Sequence, residues 1–247
     1  SQTPGQWGRI LLTGGSSDNI FEWTKIKNGT IGIDIFGVND IDLLNKPLYE
    51  SPQLIIKNSI IYNMSEKGIS AGGSKIEGEN LLIFNCGTNL LDLSYGGHYQ
   101  FNHCTFANFW SFTARQTPSV LLSNYYYDLK EQLQNRPLLK ASFGNCIIDG
   151  QNENEIFFDK SDEAEFNYEM NHCVLKLDSE YWDEWKNQSS AESVLSQNQN
   201  FIDYEIFDFT LDSNSVAIDA GVNLGVNLDL NGLPRNQEPD IGCFEYY

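Results

Sequence analysis

The sequence predicts an all-β fold: a single-stranded right-handed parallel β-helix, or solenoid, spanning residues 1–247 as one domain, with loop insertions and a C-terminal closing segment. Three observations point there. Short segments recur in which Asn leads into an apolar run: Lys27–Ile33, Lys57–Asn63, Glu79–Asn85, Phe101–Asn108, Gly144–Asp149 and Met170–Lys176. The leading residues Asn58, Asn80 and Asn102 are 22 apart, which suits one turn of such a helix. Hydrophobic residues make up 40% of the chain and aromatics 13%, so a disordered chain is excluded and a strand-rich core is favoured.

One turn cannot bury its apolar face alone, whereas stacked turns align like side chains about 4.8 Å apart. Asn58, Asn80, Asn102, Asn145 and Asn171 are therefore predicted to form a ladder at a corner of the column. Each amide can bond the next, and Asn tolerates left-handed dihedrals. Cys104, Cys146 and Cys173 are read as standing two residues beyond that Asn, so that alternation gathers them on one interior face. A packing ladder is the plain expectation for them, with a metal or redox site as the alternative.

In chain order, residues 4–23 read as a coil already under way. Nothing caps it, so a partner or a preceding segment is expected to cover this N-terminal edge. Residues 36–51, with Asp40, Asp42 and Pro47, read as a polar loop, and 123–136 as an insertion carrying one short helix from Tyr125. Residues 177–200 are polar, with Trp182 and Trp185, and are predicted to be a partly helical surface insertion. The tail, 215–247, is predicted to cap the last apolar layer with Ile218 and Ile241.

The 34 acidic and 15 basic residues give a net charge of −19, which opposes nucleic acid and anionic membranes and favours solubility. No apolar run approaches the ~18 residues of a transmembrane helix, and no leader pattern follows Ser1, so any signal peptide is expected to have been removed. The five cysteines are odd in number and lie in apolar strand-like contexts, which predicts free buried thiols.

Gln6-Trp7-Gly8, the Asn-led coils, Thr117–Tyr126, Phe143–Ile148, and the tail motifs Ser215-x-Ala-Ile-Asp-Ala-Gly221 and Pro239-Asp-Ile-Gly242 together resemble the choice-of-anchor Q family. Those are right-handed parallel β-helix surface proteins of Bacteroidetes with a pectate-lyase-like fold. Val216 stands where the family usually has Pro, and Cys243 where it has Ala. The resemblance implies a secreted or outer-membrane, cell-surface bacterial protein, often held by a lipid or surface anchor upstream, of unassigned activity.

The signatures of pectin-degrading enzymes of this fold are absent: Asn-Thr-Asp, Asp-Asp, Gly-His-Gly, Arg-Ile-Lys and Arg-x-Pro-x-x-Arg do not occur. No catalytic residue can be named, and nothing in the sequence brings the cations Arg115, Lys140 and Arg235 together. His103 and His172 would lie two rungs, roughly 10 Å, apart with Asn145 between them, too far for one zinc. Asn227, Asp229, Asn231, Gly232 and Glu238 follow a spacing that can wrap calcium, although a polar turn with Gly232 at positive φ accounts for the same residues. No cofactor is expected, with calcium at this stretch as the alternative. Arg235 is expected to pair with Asp219 or Asp240. Trp182, Trp185, Tyr125 and Tyr126 are candidate stacking platforms for a polysaccharide, although an apolar lid on the column is the reading favoured for the Trp pair. The two functional readings are a non-catalytic surface protein that binds glycans and a polysaccharide lyase or glycoside hydrolase with a divergent site.

Overall fold

The computed structural model describes residues 3–36, 52–186, 193–196 and 200–247, with the backbone alone for 183–186. The chain is almost all β, and its main sheet is mostly parallel and curled to a half-barrel shape. The chain begins with β1 (Ile10–Leu12), β2 (Asn19–Glu22), β3 (Lys25–Lys27) and β4 (Ile31–Phe36). Longer strands follow: β5 (Leu54–Met64), β6 (Lys67–Cys86) and β7 (Leu91–Asn102), then β8 (Thr105–Asn108) and β9 (Val120–Ser123). Next come β10 (Tyr125–Tyr127), β11 (Leu133–Asn135), β12 (Leu138–Gly144), β13 (Ile147–Gly150), β14 (Ile156–Asp159), β15 (Phe166–Asn171) and β16 (Val174–Leu175). Helix α1 (Ser179–Lys186), β17 (Val194–Leu195), β18 (Phe201–Asp203) and β19 (Asp208–Leu211) complete the order.

The long strands bend at corners, so successive passes of the chain visit three faces of the sheet. The front face stacks β2, the first half of β5, the middle of β6, the second half of β7, β12 and β15. The flank stacks β3, the second half of β5, the end of β6, β8, β13, β16 and β17. The back stacks β1, β4, the start of β6, the start of β7, β9 and β14. Among the described residues β1, β2 and β3 stand at one end of the stack and β14, β15 and β17 at the other.

The corner between front and flank is one left-handed residue per pass: Trp23, Asn58, Asn80, His103, Asn145 and His172, all with φ between 47° and 53°. Asn, Asp and His are the non-glycine residues that best tolerate that region. Asn80 Nδ2 donates to Asn58 Oδ1 at 3.0 Å, as a ladder requires. Asn102 and Asn171 stand one residue before the corner, opposite Gly144, which corrects the ladder drawn from the 22-residue spacing. The physical cause is a bulge. Gly72 pairs Ser94 but Ser74 pairs Gly97, so an extra residue at the Tyr95–Gly97 bend lengthens that pass by one. Cys146 accordingly follows Asn145 directly, as Cys104 follows His103 and Cys173 follows His172.

These three thiols are fully buried, and each sits within hydrogen-bond reach of a backbone carbonyl: Cys104 Sγ to Asn102 O, Cys146 Sγ to Gly144 O and Cys173 Sγ to Phe143 O. All five cysteines are free and buried. Burial pushes the Cys146 and Cys173 thiols well up, so they stay protonated and unreactive. Beside them Phe101 stacks on Phe143 at 5.4 Å. Gly78 makes room for this stack, because a Cβ there would lie 2.5 Å from the Phe101 ring.

Two further expectations change. Residues 125–135 form an antiparallel hairpin, β10 with β11, rather than a helix. Three consecutive tyrosines favour extended backbone, and Asp128 Oδ1 closes the turn by accepting from Lys130 N and Gln132 N. Within 177–200, α1 is present, but Val194 and Leu195 add a rung beside β16, with Ser193 and Ser196 buried. The loop containing Asp40, Asp42 and Pro47 lies outside the described residues.

Candidate functional site

The strands of the front face alternate. Leu54, Ile56, Ile76, Tyr99, Phe101, Ala141, Phe143 and Met170 point into the core, while Lys57, Lys75, Glu77, Glu79, His98, Gln100, Lys140 and Ser142 stand on the outer side, all of them half-buried or more open. Register sets them in columns. One column is Lys75, His98 and Lys140; the next is Glu77, Gln100 and Ser142, continuing to Glu169. Lys57 and Glu79 pair across one rung at 3.2 Å. Lys75 Nζ lies 3.6 Å from Glu77, and Lys140 Nζ donates to Gln100 Oε1 at 3.2 Å. The His98 imidazole is held below its ordinary pKa, first by burial and then by Lys75 and Lys140, with Glu77 opposing. Its Nδ1 is buried without a hydrogen-bond partner.

An aromatic corner adjoins this face at the bend of β7. Tyr95 is 40% exposed and packs on Tyr126 at 4.9 Å, and the Arg136 guanidinium lies 5.1 Å from the Tyr126 ring centre while donating to its hydroxyl. Of the sequence-nominated platforms, Tyr126 is therefore held in a stack with Tyr95 and Arg136. Tyr125 donates to Asp159 Oδ1 at 2.7 Å, which pushes its pKa up to about 12, and its ring meets Tyr127 edge-on. Trp182 is half-buried against the main core, the lid position, whereas its neighbour Tyr181 is exposed. The Trp185 side chain lies outside the described residues.

The flank is apolar on both sides. Tyr62, Leu82, Phe84, Ala107, Ile147 and Val174 face outward and form a second core with Phe201, Phe209, Leu211 and the tail residues Ala217, Leu230, Ile241, Cys243 and Phe244. The tail thus lies along the side of the stack rather than over its last layer; Ile241 is buried in this second core and Ile218 packs against it. It docks on the corner column. Asn80 Nδ2 donates to Leu228 O at 2.7 Å, and Asn145 exchanges two hydrogen bonds with the Val222 backbone. That exchange orients the Asn145 amide, so its Nδ2, 2.8 Å from His103 Nε2, donates there and places the imidazole proton on Nδ1. Burial above all, and Arg235 next, bring His103 down to about 3.

Arg235 pairs with Glu245 at 2.6 Å, both side chains almost wholly buried, and also donates to Asn80 Oδ1 and Gly242 O. The expected partners are otherwise engaged: Asp240 accepts from Asp219 N and Tyr246 N, and Asp219 Oδ1 accepts from Asn236 Nδ2. Within the calcium-like stretch, Asp229 Oδ1 accepts from Asn231 N and Leu233 N and its Oδ2 from Glu245 N. Gly232 has φ 79° there, the turn geometry. Asn227 contributes its carbonyl to Arg235 N, and Asn231 and Glu238 are exposed. Among the described residues no three His, Cys, Asp or Glu side chains gather as a metal set.

The other cations named from the sequence lie apart. Arg115 is fully buried in a two-pronged pair with Glu155, whose carboxylate also accepts from Ser119 N, Ser119 Oγ and Asn152 N. Burial raises Glu155 despite Arg115. Asp149 accepts from Asn200 Nδ2 and Ser196 Oγ, tying the flank to those two residues. A cavity of about 350 Å³ opens where the core emerges beside β14 and β15, lined by Ile156, Phe158, Phe166, Tyr168, Leu177 and Tyr181 among others. Its rings belong to the core cluster. No helix is long and apolar enough to cross a membrane among the described residues. Neither a family model nor a curated protein matches this sequence.

Proposed function

We propose that this chain is an exported bacterial cell-surface protein of the choice-of-anchor Q kind, its curled sheet closing into a right-handed parallel β-helix, and that it binds glycans on the front face without turning them over. The observation that carries this reading is the front face itself. Hydrogen-bonding side chains repeat once per rung there, beside the partly exposed Tyr95 ring stacked on Tyr126. Sugars need that combination, a flat apolar ring for the C–H face and polar groups for the hydroxyls.

The absence of turnover is supported by where the buried carboxylates sit. Glu155, Asp229, Asp240 and Glu245 are each filled by protein donors. A general acid or base must instead reach substrate. The lyase or hydrolase reading rests on the front face too, where Glu77, Glu79 and Glu169 stand on the outer side with the His98 imidazole, lowered below its ordinary pKa, beside Lys140. Glycan-array binding, run alongside a polysaccharide screen for unsaturated products and new reducing ends, separates the two. Binding without products is the expected outcome, and turnover abolished by His98→Gln would replace it with the lyase reading.

A further inference from the structure

The register of the front face points to its ligand class: we propose that Lys75, His98 and Lys140 form a binding ladder for an acidic polysaccharide, its carboxylates or sulfates seated between the two ammonium groups. The proposal rests on the glycan-binding reading and specifies it. Lys75 pairs with His98 and His98 with Lys140, so three nitrogen bases stack on consecutive rungs about 4.8 Å apart and on one side of the sheet. A linked sugar chain presents an acid group once per ring, and a parallel sheet presents a side chain once per rung.

A column built for stability alone would look different. Two columns over, Lys57 faces Glu79 across a rung, and on the back Lys67 pairs with Asp92. Among the described residues no acidic side chain pairs with Lys140, whose ammonium donates to the neutral Gln100. Lys75 has Glu77 at 3.6 Å on its own strand, longer than a charge-assisted hydrogen bond. Like charges flank His98 from both sides, and its Nδ1 is unpartnered. An anion laid across the column relieves both. Arg136, four residues before Lys140, and Tyr95, three before His98, extend the same surface with a further cation and a ring. The net charge of −19 does not prevent this, since charges beyond about 10 Å are largely screened at 0.1 M salt.

Protonation adds a sign. The groups facing His98 are Lys75 and Glu77 on β6 and Lys140 on β12. Its folded value lies below 6.5, so at neutral pH the ladder carries two charges and gains a third as pH falls. A bound anion favours that third charge and raises the His98 titration point.

The test uses the whole chain and three probes: polygalacturonate, dextran sulfate and uncharged dextran. Binding is measured by affinity electrophoresis and calorimetry for the native chain, Lys140→Ala, Lys75→Ala/Lys140→Ala and His98→Gln, after thermal melts confirm folding. Expected are binding of a charged probe but not of dextran, loss of about tenfold or more in the double variant, and tightening as pH is lowered that His98→Gln abolishes. Preference between the first two probes tells carboxylate from sulfate. A charged probe bound equally by the double variant, or dextran bound as well as the others, overturns the ladder while leaving glycan binding in place. Binding of none of these probes, with a neutral glycan bound on an array, also overturns the ladder; no glycan bound anywhere removes both.

Discussion

The front face and the flank are made from the same strands, bent at the same left-handed corners, yet one meets solvent and the other is a second core. On the front, polar and apolar residues alternate, as in Lys75-Ile-Glu-Gly-Glu. On the flank the runs are continuous, as in Leu81-Leu-Ile-Phe84, and the outward Leu82 and Phe84 are as buried as the inward Leu81 and Ile83. Strands covered on both sides read as unbroken apolar runs, and strands covered on one side alternate. The tail exists to make that difference. It supplies the cover for the flank and reaches the front only at its edge, where Leu224 lies against Gly144.

Breaking the cover has the largest effect. Arg235→Ala leaves Glu245 buried without its cation and removes a bond to Asn80, so it should cost about 3–5 kcal/mol, read as a lowered denaturant midpoint. Phe84→Ala removes a ring stacked on Tyr62 at 4.7 Å and packed on Phe209, for a loss of roughly 3 kcal/mol. Acid should loosen the same region. His103 has its ordinary value near 6.5 when unfolded and about 3 when folded, so its stabilisation is complete above 6.5 and declines as pH falls from there toward 3. At roughly 1.4 kcal/mol for each pH unit between the two values, melting measured across that window should fall by several kcal/mol, and His103→Asn, which keeps the corner dihedral, should flatten the profile. The front face supplies the smallest effect. Lys57→Ala breaks a pair whose partners are 37% and 30% exposed, and should shift stability by no more than about 0.5 kcal/mol. A loss there comparable with Arg235→Ala would erase the distinction between the two faces.

Much of this was legible in the residues. The repeated Asn-led runs foretold stacked parallel strands, whereas the continuous runs at Leu81–Phe84 and Cys146–Ile148, the mark of strands covered on both sides, were read only as part of that repeat. The cover itself was hidden, because Asn80 and Leu228 are 148 residues apart and nothing local joins them. A single extra residue at the Tyr95–Gly97 bend moved the corner from Asn102 to His103, so counting by Asn took Asn102 and Asn171, each one residue short of the corner, although it met the corner at Asn145. The basic column was missed for the same reason. Lys75, His98 and Lys140 each stand five residues before a corner, but that regularity shows only once the corners are known to be Asn80, His103 and Asn145.

The corners also give the molecule a tolerance that a simple repeat lacks. Asn58 and Asn80 are 22 residues apart, whereas His103 and Asn145 are 42 apart, with the Tyr125–Asn135 hairpin between them, and yet both pairs bond directly. Chain length between corners is therefore free to change while alignment across the rungs is not. A lineage could lengthen, shorten or exchange such excursions, and so remodel the rim of the front face, without re-registering the strands beneath it.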